Sequence, residues 1–208
     1  MSADPPREGL TRVGVRLVLT LLGTMAVWFL VIGPGYDRSI ATLAVLLLHG
    51  VESPRLTDTV RMDGVHAVVS HTGPASGLVD QRLELATHHN NAPLLIALIL
   101  ATPGLPLARR DRTLALGLLL LAATHVLHFV LSVHWVYALE NLGPYRVTDL
   151  RYLDHSFWRS LDNPAQVAKT LITLAEPFYQ HVGRLLAPIV VWMIVCGDTV
   201  RLQLAVRR

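Results

Sequence analysis

Four stretches of this chain are too apolar, and most of them too long, for the half-buried helices of a soluble domain. A helix needs about 20 mainly apolar residues to cross the hydrocarbon core of a bilayer. Val13–Ile32 meets that length, Ala92–Leu107 meets it with its flanks, and Thr113–Ala138 and Pro177–Gly197 complete the set. A fifth segment, Ile40–His49, is apolar but too short to span, so it reads as a helix lying in the interface or buried in the bundle. With 52% hydrophobic and 16% charged residues, the whole chain fits a small integral membrane protein. The expected fold is mainly α: one membrane domain over residues 1–208 with four transmembrane helices, or five if 40–49 crosses, and a small extracytoplasmic antiparallel β-sheet.

Charge orients the spans. Arg7, Arg12 and Arg16, then Arg109, Arg110 and Arg112, then Arg201, Arg207 and Arg208 fall on one side only if Ile40–His49 does not cross. The positive-inside rule then makes both termini cytoplasmic in a multi-pass cell-membrane protein, of the bacterial inner membrane type. The first span looks like a signal peptide, but no Ala-x-Ala site follows it, so it reads as an uncleaved anchor. The net charge of +3 comes from arginines beside apolar segments and not from a basic tract. This argues for the lipid bilayer as a partner and against nucleic acid. Cys196 is the only cysteine, which excludes an internal disulfide and a thiolate metal cage and makes it a small packed side chain.

Two segments fall outside the membrane in this topology. Residues 51–88 form a β-rich insertion: Asp63-Gly64 reads as a two-residue hairpin turn between Val60-Arg61-Met62 and Val65-His66-Ala67. A third strand, Leu78–Ala86, follows the loop "HTGPASG". Residues 140–176 form a loop and a helix starting at Pro164, capped by Asn163 or Asp162. Pro177 and Pro188 should kink or restart the last helix.

Polar residues cluster at three places. The stretch "THHNNAP" puts His88, His89, Asn90 and Asn91 at the N-terminus of the second span, where free N–H groups and the helix dipole favour an anion or polar acceptor. A plain N-cap by Asn90 or Asn91 explains the same residues. His125, His128 and Ser132 share one face of the third span, as a site or as hydrogen-bonded glue between helices. His181 and Arg184 lie one turn apart in the fourth, with Glu176 before them. His89, His128 and His181 could together hold a metal that activates water, although no tight ligand motif supports such a site. A di-iron histidine site is a motif-level analogy only, and a proton or substrate channel finds no repeats or broken helices in its favour.

On these residues the chain resembles the exosortase/archaeosortase group of membrane transpeptidases, most closely the small exosortase-associated membrane proteins. "HHNNAPLLIALILATPGLPLARRDR" resembles the apolar helix and basic segment that carry the nucleophile in the enzymes, and "HVGRLLAP" resembles their last motif. The departures bear on activity: no cysteine stands at His88–Asn91, and His128 stands about where the family has arginine. The resemblance carries over His181 as the one triad position, with His128 a further catalytic candidate near the arginine's place, while the polar clusters themselves make His88, His89, Asn90, Asn91, His125 and Arg184 the expected binding groups. It implies a non-catalytic accessory to C-terminal protein sorting or anchoring, partnered by an exosortase-type transpeptidase or the C-terminal tail of its substrate, and no cofactor. A histidine-based, metal-dependent hydrolase or transpeptidase is the alternative.

Overall fold

The computed structural model describes residues 6–52, 56–64, 66–72, 78–84, 91–146 and 163–206. In order they form α1 (Pro6–Val27), a π-turn (Trp28–Ile32), α2 (Gly33–Val51), β1 (Thr57–Asp63), β2 (His66–Thr72) and β3 (Leu78–Glu84). Then come α3 (Ala92–Ala101), α4 (Leu107–Leu139), a 3-10 turn (Gly143–Tyr145), α5 (Pro164–Phe178), a second π-turn (Tyr179–Gly183) and α6 (Arg184–Val206). The protein is mostly helical with one small antiparallel sheet. Among the described residues, three continuous helical runs are long and apolar enough to cross a membrane: Thr11–Val51, Leu107–Leu139 and Pro164–Arg201, of 41, 33 and 38 residues.

Two boundaries differ from the expectation. Helix does not stop at Gly33-Pro34-Gly35: α1 passes through the π-turn directly into α2, so Ile40–His49 continues the first helix instead of forming a separate one. Pro34 has no N–H to donate, and its ring crowds the carbonyl of Leu30, four residues earlier. Widening the turn ahead of it accommodates the ring, and the Gly33 N–H bonds to the Trp28 carbonyl five residues back. Glycine suits that position because a Cβ there would stand 3.1 Å from the Trp28 oxygen. The expected second span, Ala92–Leu107, is the other correction. Thr102-Pro103-Gly104 ends α3 after 10 residues, or about 15 Å, half the thickness of a hydrocarbon core. Leu107 then opens α4.

The chain divides into two compact units. One comprises residues 1–35, 89–124 and 184–208. In it α3 packs against α1 and α6. Gly117 of α4 admits the close approach of α3, since a Cβ there would meet Ile99 Cδ1 at 2.9 Å. The Asn91 amide bonds the Arg184 carbonyl, and the Trp192 indole donates to Thr102 Oγ1. The two ends of α3 therefore match successive levels of α6, and the helices run in the same direction. This direction carries Arg109, Arg110 and Arg112, just after α3, toward the same end as Arg201. Leu30, Val31, Leu119 and Ile194 are each at least two-thirds exposed, an apolar surface that suits lipid better than water.

The other unit comprises residues 36–88 and 125–183. Ala41, Ala44 and Leu48 of α2, Ala67 and Val69 of β2, Phe129, Val133 and Tyr137 of α4 and Tyr145 form its core. The sheet has the order β1-β2-β3. Val60, Met62 and Leu83 pack on that core. The alternate positions carry Arg61–Asp80 and Arg82–Asp63 ion pairs, which cross β2 above buried Val68. These exposed pairs contribute little, but their stems shield the valine. Asp63 pairs with His66, so the turn falls one position later than expected, and Gly64 takes the positive φ of 63°. His71 and Thr72, expected in a loop, extend β2, and β3 ends at Glu84. Asn163 caps α5, its side chain accepting from the Ala165 and Gln166 amides.

Leu48 is fully buried, whereas Leu46 is 65% exposed. Leu48→Ala is expected to cost about 2–5 kcal/mol and to lower the Tm in detergent. Leu46→Ala should move stability by no more than about 0.5 kcal/mol. Equal shifts for the two would contradict this core.

Candidate functional site

The buried polar side chains of α4, His125, His128 and Ser132, belong to the unit that holds the sheet. His128 and Ser132 are one turn apart on α4, and both are buried. Opposite them α5 supplies Glu176, also buried, with Oε1 at 3.4 Å from Ser132 Oγ and 4.0 Å from His128 Nε2. Gln180, one turn beyond, donates to the same carboxylate oxygen, and the Tyr179 ring stacks on His128 with centroids 4.2 Å apart. The π-turn after Pro177 sets this register. It brings both Tyr179 and Gln180 to the α4 side, and His181 Nδ1 donates to the Pro177 carbonyl at 2.8 Å.

A histidine, a serine and a glutamate in one buried cluster invite comparison with a nucleophilic triad, but the connectivity differs. In a triad the imidazole stands between the other two, one ring nitrogen facing the serine and the other the carboxylate. Here Ser132 Oγ, at 3.5 Å, and the Glu176 carboxylate both face His128 Nε2. The carboxylate therefore accepts from the serine directly and does not orient the imidazole. The hydrogen-bond distances to Ser132 are long for strong bonds. The arrangement is a set of buried polar groups satisfying one another across two helices.

A second cluster closes the end of the same unit near the sheet. The Tyr137 hydroxyl shares a 2.7 Å hydrogen bond with Thr57 Oγ1, which donates to Glu52 Oε1 at 2.7 Å. Glu52 Oε2 accepts the Leu56 and Thr57 amides, so one carboxylate joins the end of α2 to the start of β1. His71 Nε2 lies 2.8 Å from Glu140 Oε2, and its ring packs against Tyr137. His134 meets the edges of Tyr137 and Tyr145. Burial and the nearby Glu52 charge push the Tyr145 phenol above its ordinary pKa, so it stays a neutral packing group at physiological pH.

Of the expected site residues that the structure describes, Asn91 meets the Arg184 backbone, whereas His125, His128 and His181 each engage a separate local partner. His125 is buried and engages the Tyr36 hydroxyl through Nδ1 at 2.8 Å. His128 belongs to the Glu176 cluster, while His181 is exposed and bonded to its own helix. Asn91 occupies the N-cap position of α3, but its side chain makes no cap bond and reaches instead to the Arg184 carbonyl. The expected polar mouth is, at Asn91, a buried joint between two helices. His88, His89 and Asn90 lie outside the described residues, as does any metal site that needs His89. Among the described residues no group of three or more histidine, cysteine, aspartate or glutamate side chains is placed to hold a metal ion. Cys196 is buried in α6.

Sequence reading missed Glu52, Thr57, Tyr137, Tyr36 and Glu140 and undervalued Glu176. The Glu176-x-x-x-Gln180 spacing was one available signal, since residues four apart in a helix meet. Thr57 lies 80 residues from its partner Tyr137 and His71 lies 69 from Glu140, and no local pattern indicates such pairings. The fold and site define a helical protein with three helices suited to crossing a membrane and a small sheet tied to them by buried polar pairs. Compared with known families, curated proteins and solved structures, the chain matches none.

Removing one partner of a buried pair exposes the other to the full cost of desolvation. Glu176→Ala and Tyr137→Phe are each expected to destabilise by about 1–3 kcal/mol, read as lower Tm in detergent. His181→Ala, at an exposed position, should leave the Tm nearly unchanged. A stable Glu176→Ala protein would show that the carboxylate is held there for something other than packing.

Proposed function

We propose that this chain is a multi-pass membrane protein without transpeptidase chemistry of its own, acting as an accessory to C-terminal protein sorting or anchoring. The observation that carries the non-catalytic half of this reading is the separation of the imidazoles: each engages a different local partner. His125 meets Tyr36, His128 meets Tyr179, Ser132 and Glu176, His71 meets Glu140, and His181 meets a backbone carbonyl. A general base needs a reacting group within reach, whereas each of these rings is already engaged by a neighbour in its own helices or sheet. The sorting half rests on the resemblance of residues 88–112 and 181–188 to exosortase-type proteins, with the nucleophilic cysteine replaced.

The topology that goes with it has both termini and the Arg109–Arg112 segment in the cytoplasm and the sheet outside, which requires short α3 together with the chain up to Leu107 to make the return crossing between the first and second long runs. The shared direction of α3 and α6 supports this assignment, because it sends the two later basic clusters to one end. The partner is an exosortase-type transpeptidase or the tail of its substrate.

The test is the processing of a tail-anchored sorting substrate, followed by intact mass in cells lacking this chain and complemented with wild type or His181→Ala. Deletion should block processing, and both complements should restore it equally. Restoration by wild type alone would give His181 a chemical role and overturn the accessory reading. Normal processing in the deleted strain would remove the sorting assignment.

A further inference from the structure

In the unit that carries the sheet, a groove of about 430 Å³ runs between α2 and β1. Val45 and Leu46 line it on the helix, Val60 and Met62 on the strand, with Thr42 and Arg38 toward the start of α2. Glu52 at the end of α2 holds Thr57 at the start of β1, so the strand runs back along the helix and Arg38 lies toward the hairpin end. Among the described residues β1 pairs only with β2, so its other edge presents unpaired backbone groups. The Thr57 amide is already taken by Glu52 and Asp58 has a partner of its own, which leaves residues 59–63 as the remaining length. No side chain among the described residues pairs with the Arg38 guanidinium.

We propose that this groove receives an extended, acidic-ended apolar peptide segment of a partner protein, which adds to β1 as a fourth strand. The chemistry of the three features fits one occupant. A free edge supplies main-chain hydrogen bonds, and alternate side chains of an added strand fall on the face shared by Val60 and Met62. Those side chains enter the groove over Val45 and Leu46, and a carboxylate at the hairpin end meets Arg38, whose planar fork suits it. A lipid chain would use the apolar walls but not the strand edge. The inference rests on the topology proposed above, which places β1 outside the membrane, and it names the chemistry of the segment the accessory would hold.

The test uses the full chain in nanodiscs and an eight-residue peptide alternating valine and threonine, with glutamate at one end or the other. Binding is read by anisotropy of a labelled peptide and by amide hydrogen exchange. One of the two peptides is expected to bind saturably and to slow exchange at residues 59–63. Methylating alternate peptide nitrogens should abolish that protection, and Arg38→Glu or a lysine-ended peptide should weaken binding by about tenfold or more, some 1.4 kcal/mol. No saturable binding by either peptide would overturn the proposal. So would binding that is indifferent to methylation, or binding displaced by added phosphatidylglycerol, which would make the groove a lipid site. Because purified protein is used, peptide binding without any processing defect in deleted cells would sink the sorting role alone, and the reverse would sink the groove alone.

Discussion

A helix has to satisfy its surroundings along its whole length, and the three long runs of this chain are all longer than a bilayer is thick. At 1.5 Å per residue they extend about 60, 50 and 57 Å, against a hydrocarbon core of about 30 Å. If each crosses once, a large part of each must find burial elsewhere. The sheet unit provides it: β2 and the inward faces of β1 and β3 cover α2 and the second half of α4, with Leu48, Val69 and Tyr137 at the centre. The other unit buries Leu95, Ile99 and Leu121 but keeps many further apolar side chains on its surface, as lipid contact favours, and uses small residues such as Gly117 for close helix packing.

Polar residues within such helices are costly unless they meet one another. Every buried one with a described partner here is matched to a partner from a different element: Tyr36 with His125, Ser132 with Glu176, Tyr137 with Thr57, Asn91 with the Arg184 backbone. These pairs fix which face of α4 turns toward α5 and which end of β1 meets α2. The same pairing makes them poor reagents, since a group already held by its neighbour is not available to a substrate. The two π-turns belong to this economy of contacts. Both sit beside prolines, and the second presents Tyr179 and Gln180 to the His128–Glu176 cluster.

Much of the architecture was legible in local pattern. Apolar length identified the long helices, Asn163-Pro164 marked the start of α5, and alternation around Asp63-Gly64 marked the hairpin to within one residue. What was not legible was how the proline and glycine breakers act in context and which distant residues pair. Gly33-Pro34-Gly35 reads as a terminator, yet a π-turn carries helix through it because the wider turn makes room for the proline ring. Ala92–Leu107 reads as a span, yet Pro103-Gly104 cuts it to 10 residues. Of the site, His128 and Ser132 were found by helical spacing, but Glu176 completes them from 44 residues away. His181, singled out by resemblance, is bonded to the Pro177 carbonyl one turn back.

The most direct measurement is the side of the membrane on which the sheet lies. In a Cys196→Ser background, single cysteines are placed at exposed Thr59 on β1 and at exposed Asp111 near the start of α4, and intact cells are treated with a membrane-impermeant maleimide. The account requires Thr59→Cys to label in intact cells and Asp111→Cys to label only after permeabilisation. Labelling of both in intact cells, or of Asp111→Cys alone, would contradict a sheet held outside the membrane to meet a sorting partner.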